Sequence, residues 1–73
     1  MRIIVVGDGK VGYNLAEQLA KEDHDVVVVD RNQHTLQKTQ EMLDVMIVMG
    51  NGASMPVLQE AGIEECDLLI AVT

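Results

Sequence analysis

Residues 3–12 read Ile3-Ile4-Val5-Val6-Gly7-Asp8-Gly9-Lys10-Val11-Gly12. Four branched apolar residues in a row, with no polar alternation, are what a β-strand covered on both faces requires. Gly7, Gly9 and Gly12 follow at once in the spacing G-x-G-x-x-G, and from Val11 onward apolar residues return at helical intervals. A strand that runs through a glycine turn into a helix brings the free amides of the helix N-terminus to the strand's end, where they favour an anion. Glycine spacing alone is a weak signal, because glycine is common in turns; its position between strand and helix gives it weight.

The same alternation continues outward from this turn. Three more apolar runs, Val26 to Val29, Val45 to Met49 and Leu68 to Val72, each read as a buried strand. Between the first two strands, Val11, Leu15 and Leu19 recur every fourth residue with Ala16 and Ala20 beside them, so they form one inward stripe, while Asn14, Glu17, Gln18 and Lys21 face out. Asn32 suits the N-cap of a second helix that carries Leu36, Met42 and Leu43 on its inner face. Ser54 opens a short third helix, with Pro56 tolerated in its first turn and Gly62 ending it. This βαβαβαβ pattern, with connections so short, implies parallel strands and right-handed crossovers. The expected fold is a Rossmann-like, three-layer α/β arrangement with a four-stranded parallel sheet in the order 3-2-1-4. Residues 1–73 then make a partial dinucleotide-binding domain, expected to be a fragment of a longer chain, since the complete fold adds strands beside the fourth.

Composition narrows the function. Twelve acidic against five basic residues give a net charge of −7, and Tyr13 is the sole aromatic residue, which argues against nucleic acid as a partner. A chain this negative must bind a polyphosphate through local amides, not through its overall field. The hydrophobic fraction of 48% and the charged fraction of 23% are those of a folded domain. A single cysteine, Cys66, forms no internal disulfide, which fits a reducing cytoplasm. The apolar runs are too short to span a bilayer.

Asp30 closes the second strand 18 positions after Gly12, close to where a ribose-binding acid belongs. Each glycine has a job in this frame: Gly7 permits the tight turn, Gly9 lets a pyrophosphate approach the backbone, and Gly12 lets the helix pack closely on the first strand. The Asp30 carboxylate can accept from both hydroxyls of an adenosine ribose and repel a 2′-phosphate, favouring NAD over NADP; Arg31 beside it acts the other way. Asp8 is a charge between two phosphate-binding glycines. A carboxylate ~6 Å from a pyrophosphate opposes it by roughly 3 kcal/mol at an effective dielectric of 20. Lys10 offsets part of that. A tight turn with a solvated strand-end aspartate would explain the glycines but not strand, helix and acid together.

The other chemistry-bearing residues take plainer readings. His24 and His34 lack a second ligand at metal spacing. Cys66 lies among Glu64, Glu65 and Asp67, which disfavours a thiolate. Met42, Met46, Met49 and Met55, clustered about the third strand, are expected to fill the core, and Tyr13 to pack. The acidic run from Glu60 to Asp67 is expected to face solvent or a partner surface.

The whole chain resembles the TrkA-N family, also called the RCK or KTN N-terminal domain, found in regulators of Trk-type potassium uptake. The likeness is carried by Ile3 to Gly12 with Lys10 in the loop, by Val29-Asp30-Arg31-Asn32, by the turn Gly50-Asn51-Gly52-Ala53-Ser54, by Leu58 to Asp67, and by Ile70-Ala71-Val72-Thr73. It implies a cofactor site for NAD or NADH, with ADP and ATP also admitted. In that site Gly7, Gly9, Lys10 and Val11 contact the pyrophosphate, Asp8 and Gly12 belong to the same turn, Asp8 as a departure from the uncharged residue expected there, and Asp30 meets the ribose. Arg31, Asn51 and Ala53 contact the adenine, Gly52 belongs to the same cofactor site, and Thr73 lies near the phosphates or the nicotinamide-side ribose. The resemblance further implies a homo-oligomer whose bound nucleotide controls a membrane-embedded potassium transporter. Such a module is cytoplasmic, held at the inner face of the membrane by its partner, and is not an enzyme. The competing reading is the cofactor-binding fragment of an NAD-dependent oxidoreductase, which needs an acid-base pair near the nicotinamide that this sequence does not offer. A methyltransferase ranks last, because G-x-G-x-x-G suits a pyrophosphate better than S-adenosylmethionine.

Overall fold

Strand β1, Arg2–Val6, forms the centre of the sheet because both its faces are covered: Ile3, Ile4 and Val5 are at most 1% exposed. The protein is described by a computed structural model, covering residues 1–72. Strand β2, Asp25–Asp30, lies parallel to β1 with Val26 opposite Ile3, and its four valines are buried. Strand β3, Met46–Met49, joins the far side of β2, and β4, Leu68–Ala71, joins the other side of β1 with Leu68 opposite Ile3. All pairs are parallel and the order is β3-β2-β1-β4, as the crossover rule requires.

The period of two along the strands divides the core. Ile3, Val5, Val26 and Val28 point to one face, where Ala16 of α1 (Lys10–Lys21) and Leu36 of α2 (Gln33–Met42) cover them. Ile4, Val27, Val29 and Val48 point to the other, under Ala61 of α3 (Met55–Ala61), with Val57, Ile63 and Cys66 at the margin. Each such fully buried aliphatic side chain contributes about 2 kcal/mol against exposure. Asn32 caps α2 as expected: its side chain accepts a hydrogen bond from the Thr35 amide at 3.2 Å. Gly62 ends α3 in the left-handed conformation, φ 89°, and a short 3-10 turn, Ile63–Glu65, leads to β4. Ser54 precedes α3, yet its side chain makes no capping bond.

Several details depart from the sequence reading. Val11 is 67% exposed and does not belong to the inward stripe of α1; Gly12 and Ala16 are buried, with Leu15 and Leu19 packed beside them. The helix must turn Gly12 towards β1, which rotates Val11 out. On α2 the buried residues are Leu36 and Thr39, with Leu43 packing just beyond, so the stripe runs i, i+3, i+7 and Met42 points away. The methionines fill no core: Met42, Met46, Met49 and Met55 are 71%, 59%, 54% and 57% exposed. Strands β3 and β4 are the two edges of the sheet and only four residues long: Val48 is the one buried side chain of β3 and none of β4 is buried, so neither run is covered on both faces as the sequence reading expected.

Candidate functional site

The carboxyl ends of parallel strands, at the point where the strand order reverses, are where open α/β sheets bind ligands. Here the chain leaves β1 to one side through α1, and β4 returns on the other side. At that end two contiguous cavities share Gly7, Asp30 and Ala71. One, of about 630 Å³, is bordered by Gly7, Asp8, Gly9, Lys10, Val11, Gly12, Asp30 and Val72. The other, of about 680 Å³, is bordered by Asp30, Arg31, Asn51, Gly52 and Ala53, with Leu58 and Leu69 as apolar walls. These volumes are in the range of small-molecule and cofactor sites. A third hollow, about 400 Å³ among Arg2, Asp23, His24, Asp25 and Asp44, opens at the opposite end of the sheet, remote from every residue of the glycine turn.

The turn is built for close backbone contact. Gly7 has φ 113°, a conformation that penalises any Cβ, and its amide donates to the Val29 carbonyl at 2.7 Å. Gly12 stands so close to the end of β1 that a Cβ placed on it would meet the Gly7 carbonyl oxygen at 1.9 Å. A Cβ on Gly9, by contrast, would meet no heavy atom within 4 Å. Gly9 is the N-cap of α1, no side chain caps that helix, and no acidic residue stands in its first turn. The first-turn amides are therefore open to an anion along the helix axis. Of the turn's other amides, that of Asp8 is already taken, since it donates to Asp30 Oδ1 at 3.1 Å.

Asp30 is thus fixed before any ligand arrives. Its second oxygen, Oδ2, accepts from the Asn32 amide at 2.9 Å, so each carboxylate oxygen takes one amide and retains capacity for another donor. The Gly50 amide donates to the Asp30 carbonyl at 2.9 Å, which ties the Gly50 turn to the end of β2. Within that turn Asn51 Oδ1 accepts from the Ala53 amide at 2.9 Å, closing an Asx turn. Arg31 is exposed at the cleft's rim.

Asp8 borders the cleft with the rest of the turn, but the sequence reading did not foresee that it is buried. It is 3% exposed, and its Oδ2 accepts from the Thr39 hydroxyl on α2 at 2.6 Å. Burial pushes its carboxyl above the ordinary value of 3.8; the Thr39 hydrogen bond pulls it down, and the Asp30 charge pushes it up. The sequence-based residues Gly7 to Gly12, Asp30, Arg31, Asn51, Gly52 and Ala53 all border this one cleft, whereas Thr73 lies outside the described residues. Sequence reasoning missed the apolar walls Leu58 and Leu69, and it missed Thr39. The signal for Thr39 was its spacing, three residues after Leu36 and four before Leu43 on one helix face.

Elsewhere the chemistry is sparse. His24 stands 3.8 Å from Glu22, and Cys66 Sγ donates to the Leu68 carbonyl at 2.9 Å. Among the described residues no cluster of three His, Cys, Asp or Glu side chains could hold a metal ion, and no helix is long and apolar enough to cross a membrane.

A parallel sheet with a glycine turn at its switch point, an open helix N-terminus and an acid at the end of β2 define a Rossmann-like domain of the dinucleotide-binding type. The family model of the TrkA-N domain matches residues 3–73, and the chain belongs to that family. It is 45% identical over 73 residues to the Trk system potassium uptake protein TrkA of Azorhizobium caulinodans and 47% identical to that of Halomonas elongata. A TrkA homolog of Archaeoglobus fulgidus is 44% identical over the same length. In each case the match takes in 100% of this chain and 16% of the relative. The crystal structure of the TrkA-N domain of the inner membrane protein ybaL from Escherichia coli superposes with a TM-score of 0.87 at 31% identity, over 96% of this chain and 51% of that one.

Proposed function

We propose that this chain is a nucleotide-binding regulatory module of a Trk-type potassium uptake system, with NAD or NADH as its ligand and no catalytic role of its own. The observation that carries the reading is the continuous cleft from the α1 N-terminus past Asp30 to the Gly50 turn. In this reading the open amides at the start of α1 and the Lys10 ammonium hold the pyrophosphate. Asp30 accepts from the ribose hydroxyls, while Arg31, Asn51, Gly52 and Ala53 border the adenine with Leu58 and Leu69 beneath it. A nucleotide so held is bound and released unchanged; among the described residues the cleft's charged groups are Asp8, Lys10, Asp30 and Arg31. The names of the relatives support potassium uptake as the setting. Such a module works as part of a larger assembly: a cytoplasmic homo-oligomer on a membrane-embedded transporter, whose shape the nucleotide sets. Exposed Leu68 on the β4 edge, outside the cleft lining, supports association there.

Calorimetric titration with ADP, NAD and NADH tests the reading. The pyrophosphate and adenosine contacts are common to all three, so they are expected to bind within about tenfold of one another. Gly9→Val, whose Cβ would enter open space at the approach to the turn, is expected to abolish binding by all three in a chain that still folds. A folded Gly9→Val chain that still binds would place the nucleotide elsewhere.

A further inference from the structure

Asp8 and Thr39 are the two polar side chains that are nearly fully buried among the described residues, at 3% and 1% exposure. They are 31 positions apart, one in the glycine turn and one on α2, and the 2.6 Å bond between them is the one side-chain tie joining the turn to that helix. Asp8 Oδ1 has no hydrogen-bond partner among the described residues. If the Thr39 hydroxyl were lost, the carboxylate would be buried with both oxygens unsatisfied, an unfavourable state that it relieves by turning towards water. Asp8 borders two open spaces, the cavity lined by Gly9, Lys10, Val11 and Gly12 and the groove between α1 and α2.

We propose that Thr39 is a positioning residue for the nucleotide site: its hydroxyl holds the Asp8 carboxylate against α2, and so keeps the turn's own negative charge from opposing a bound pyrophosphate. The role rests on the nucleotide reading above. Thr39 borders the groove on the outer side of the turn, between α1 and α2, and not the nucleotide cleft itself. The charged and titratable groups facing Asp8 are Asp30 from β2, Lys10 and Tyr13 from α1, and Lys38 from α2. The two lysines make no ion pair among the described residues, so nothing but the Thr39 hydroxyl binds the carboxylate directly. The arrangement explains how an aspartate can stand in a phosphate turn: its charge is parked.

A double-mutant cycle read by ADP calorimetry tests this at neutral pH. Thr39→Val, which keeps shape and loses the hydroxyl, is expected to weaken ADP binding about tenfold with the circular dichroism spectrum unchanged. Thr39→Ser is expected to restore it. Asp8→Asn is expected to tighten ADP by less than threefold in the wild type but by about tenfold in the Thr39→Val background, because only there is the charge released. The Thr39→Val defect is also expected to shrink as salt rises and as pH falls towards protonation of Asp8. Unchanged binding by Thr39→Val, or a defect that Asp8→Asn does not rescue, overturns the positioning role while leaving the nucleotide site standing. If Thr39→Val does not fold, the wild-type arm decides alone, since a tenfold gain from Asp8→Asn there means that the charge was never shielded. A wild-type chain that binds no ADP overturns the nucleotide reading, and this role with it.

Discussion

Gly9 and Gly12 stand three residues apart in one motif, and the structure gives them opposite liabilities. At Gly12 a methyl group would lie 1.9 Å from the Gly7 carbonyl oxygen and 2.8 Å from its carbon. Both are backbone atoms at the end of the inner strand β1, so no side-chain rotation can relieve the overlap; α1 must move off β1. Overpacking of this kind costs about 3 kcal/mol, and the better helix propensity of alanine returns about 1. A net loss near 2 kcal/mol corresponds to a fall in Tm of roughly 10–15 °C in a domain of this size. Gly9 has an extended backbone, φ −77° and ψ −165°, and open space where a Cβ would go. Gly9→Ala loses some N-cap preference and gains from a stiffer unfolded chain, about 0.5–1 kcal/mol each with opposite signs. Its Tm is expected to stay within about 3 °C of wild type. Thermal melts followed by circular dichroism, with urea midpoints as a second measure, compare the two. Equal stability for Gly12→Ala and wild type would mean that α1 does not need its close approach to β1, and the packing argument would fail.

Three further outcomes follow from the same contacts. Because burial raises the Asp8 carboxyl above its unfolded value, its contribution to stability is full below the ordinary value of 3.8 and is lost as pH rises through the raised one. Wild-type urea midpoints should therefore decline across that window relative to Asp8→Asn, whose curve lacks the decline; parallel curves would show that Asp8 is not desolvated. Asn32→Ala removes the side-chain cap on the Thr35 amide and is expected to cost about 1 kcal/mol, read as a shift in urea midpoint with unchanged slope. Asp30→Ala is expected to narrow an NADH preference over NADPH from tenfold or more to about threefold in calorimetry, since the carboxylate both accepts from the ribose and repels a 2′-phosphate; equal wild-type affinities would contradict it.

The strands were legible because two-sided burial writes itself as unbroken apolar runs: Ile3 to Val5 and Val26 to Val29 are enclosed as their composition requires. The sheet order followed from handedness, and the meeting of Gly7, Asp30 and the Gly50 turn followed from the sheet order. What the sequence did not disclose depends on rotation about a helix axis and on where a sheet ends. Val11 and Met42 each sit one step off the buried stripe, a difference that spacing in a short helix does not resolve. The methionines about β3 look like core by hydrophobicity, but an edge strand of four residues has little to cover them. The tie between Asp8 and Thr39 joins positions 31 apart, and only the placement of α2 beside the turn brings them together.

The central claim, that the glycine turn and the end of β2 hold the nucleotide, is tested most directly by titrating the ¹⁵N-labelled chain with ADP and following each backbone amide by NMR. The amides of Gly9 to Gly12, Asp30, Arg31 and Asn51 to Ala53 are expected to shift together and to saturate with one affinity, while those at the other end of the sheet stay in place. Shifts confined to Arg2, His24, Asp25 and Asp44, around the hollow at the opposite end, would contradict the account.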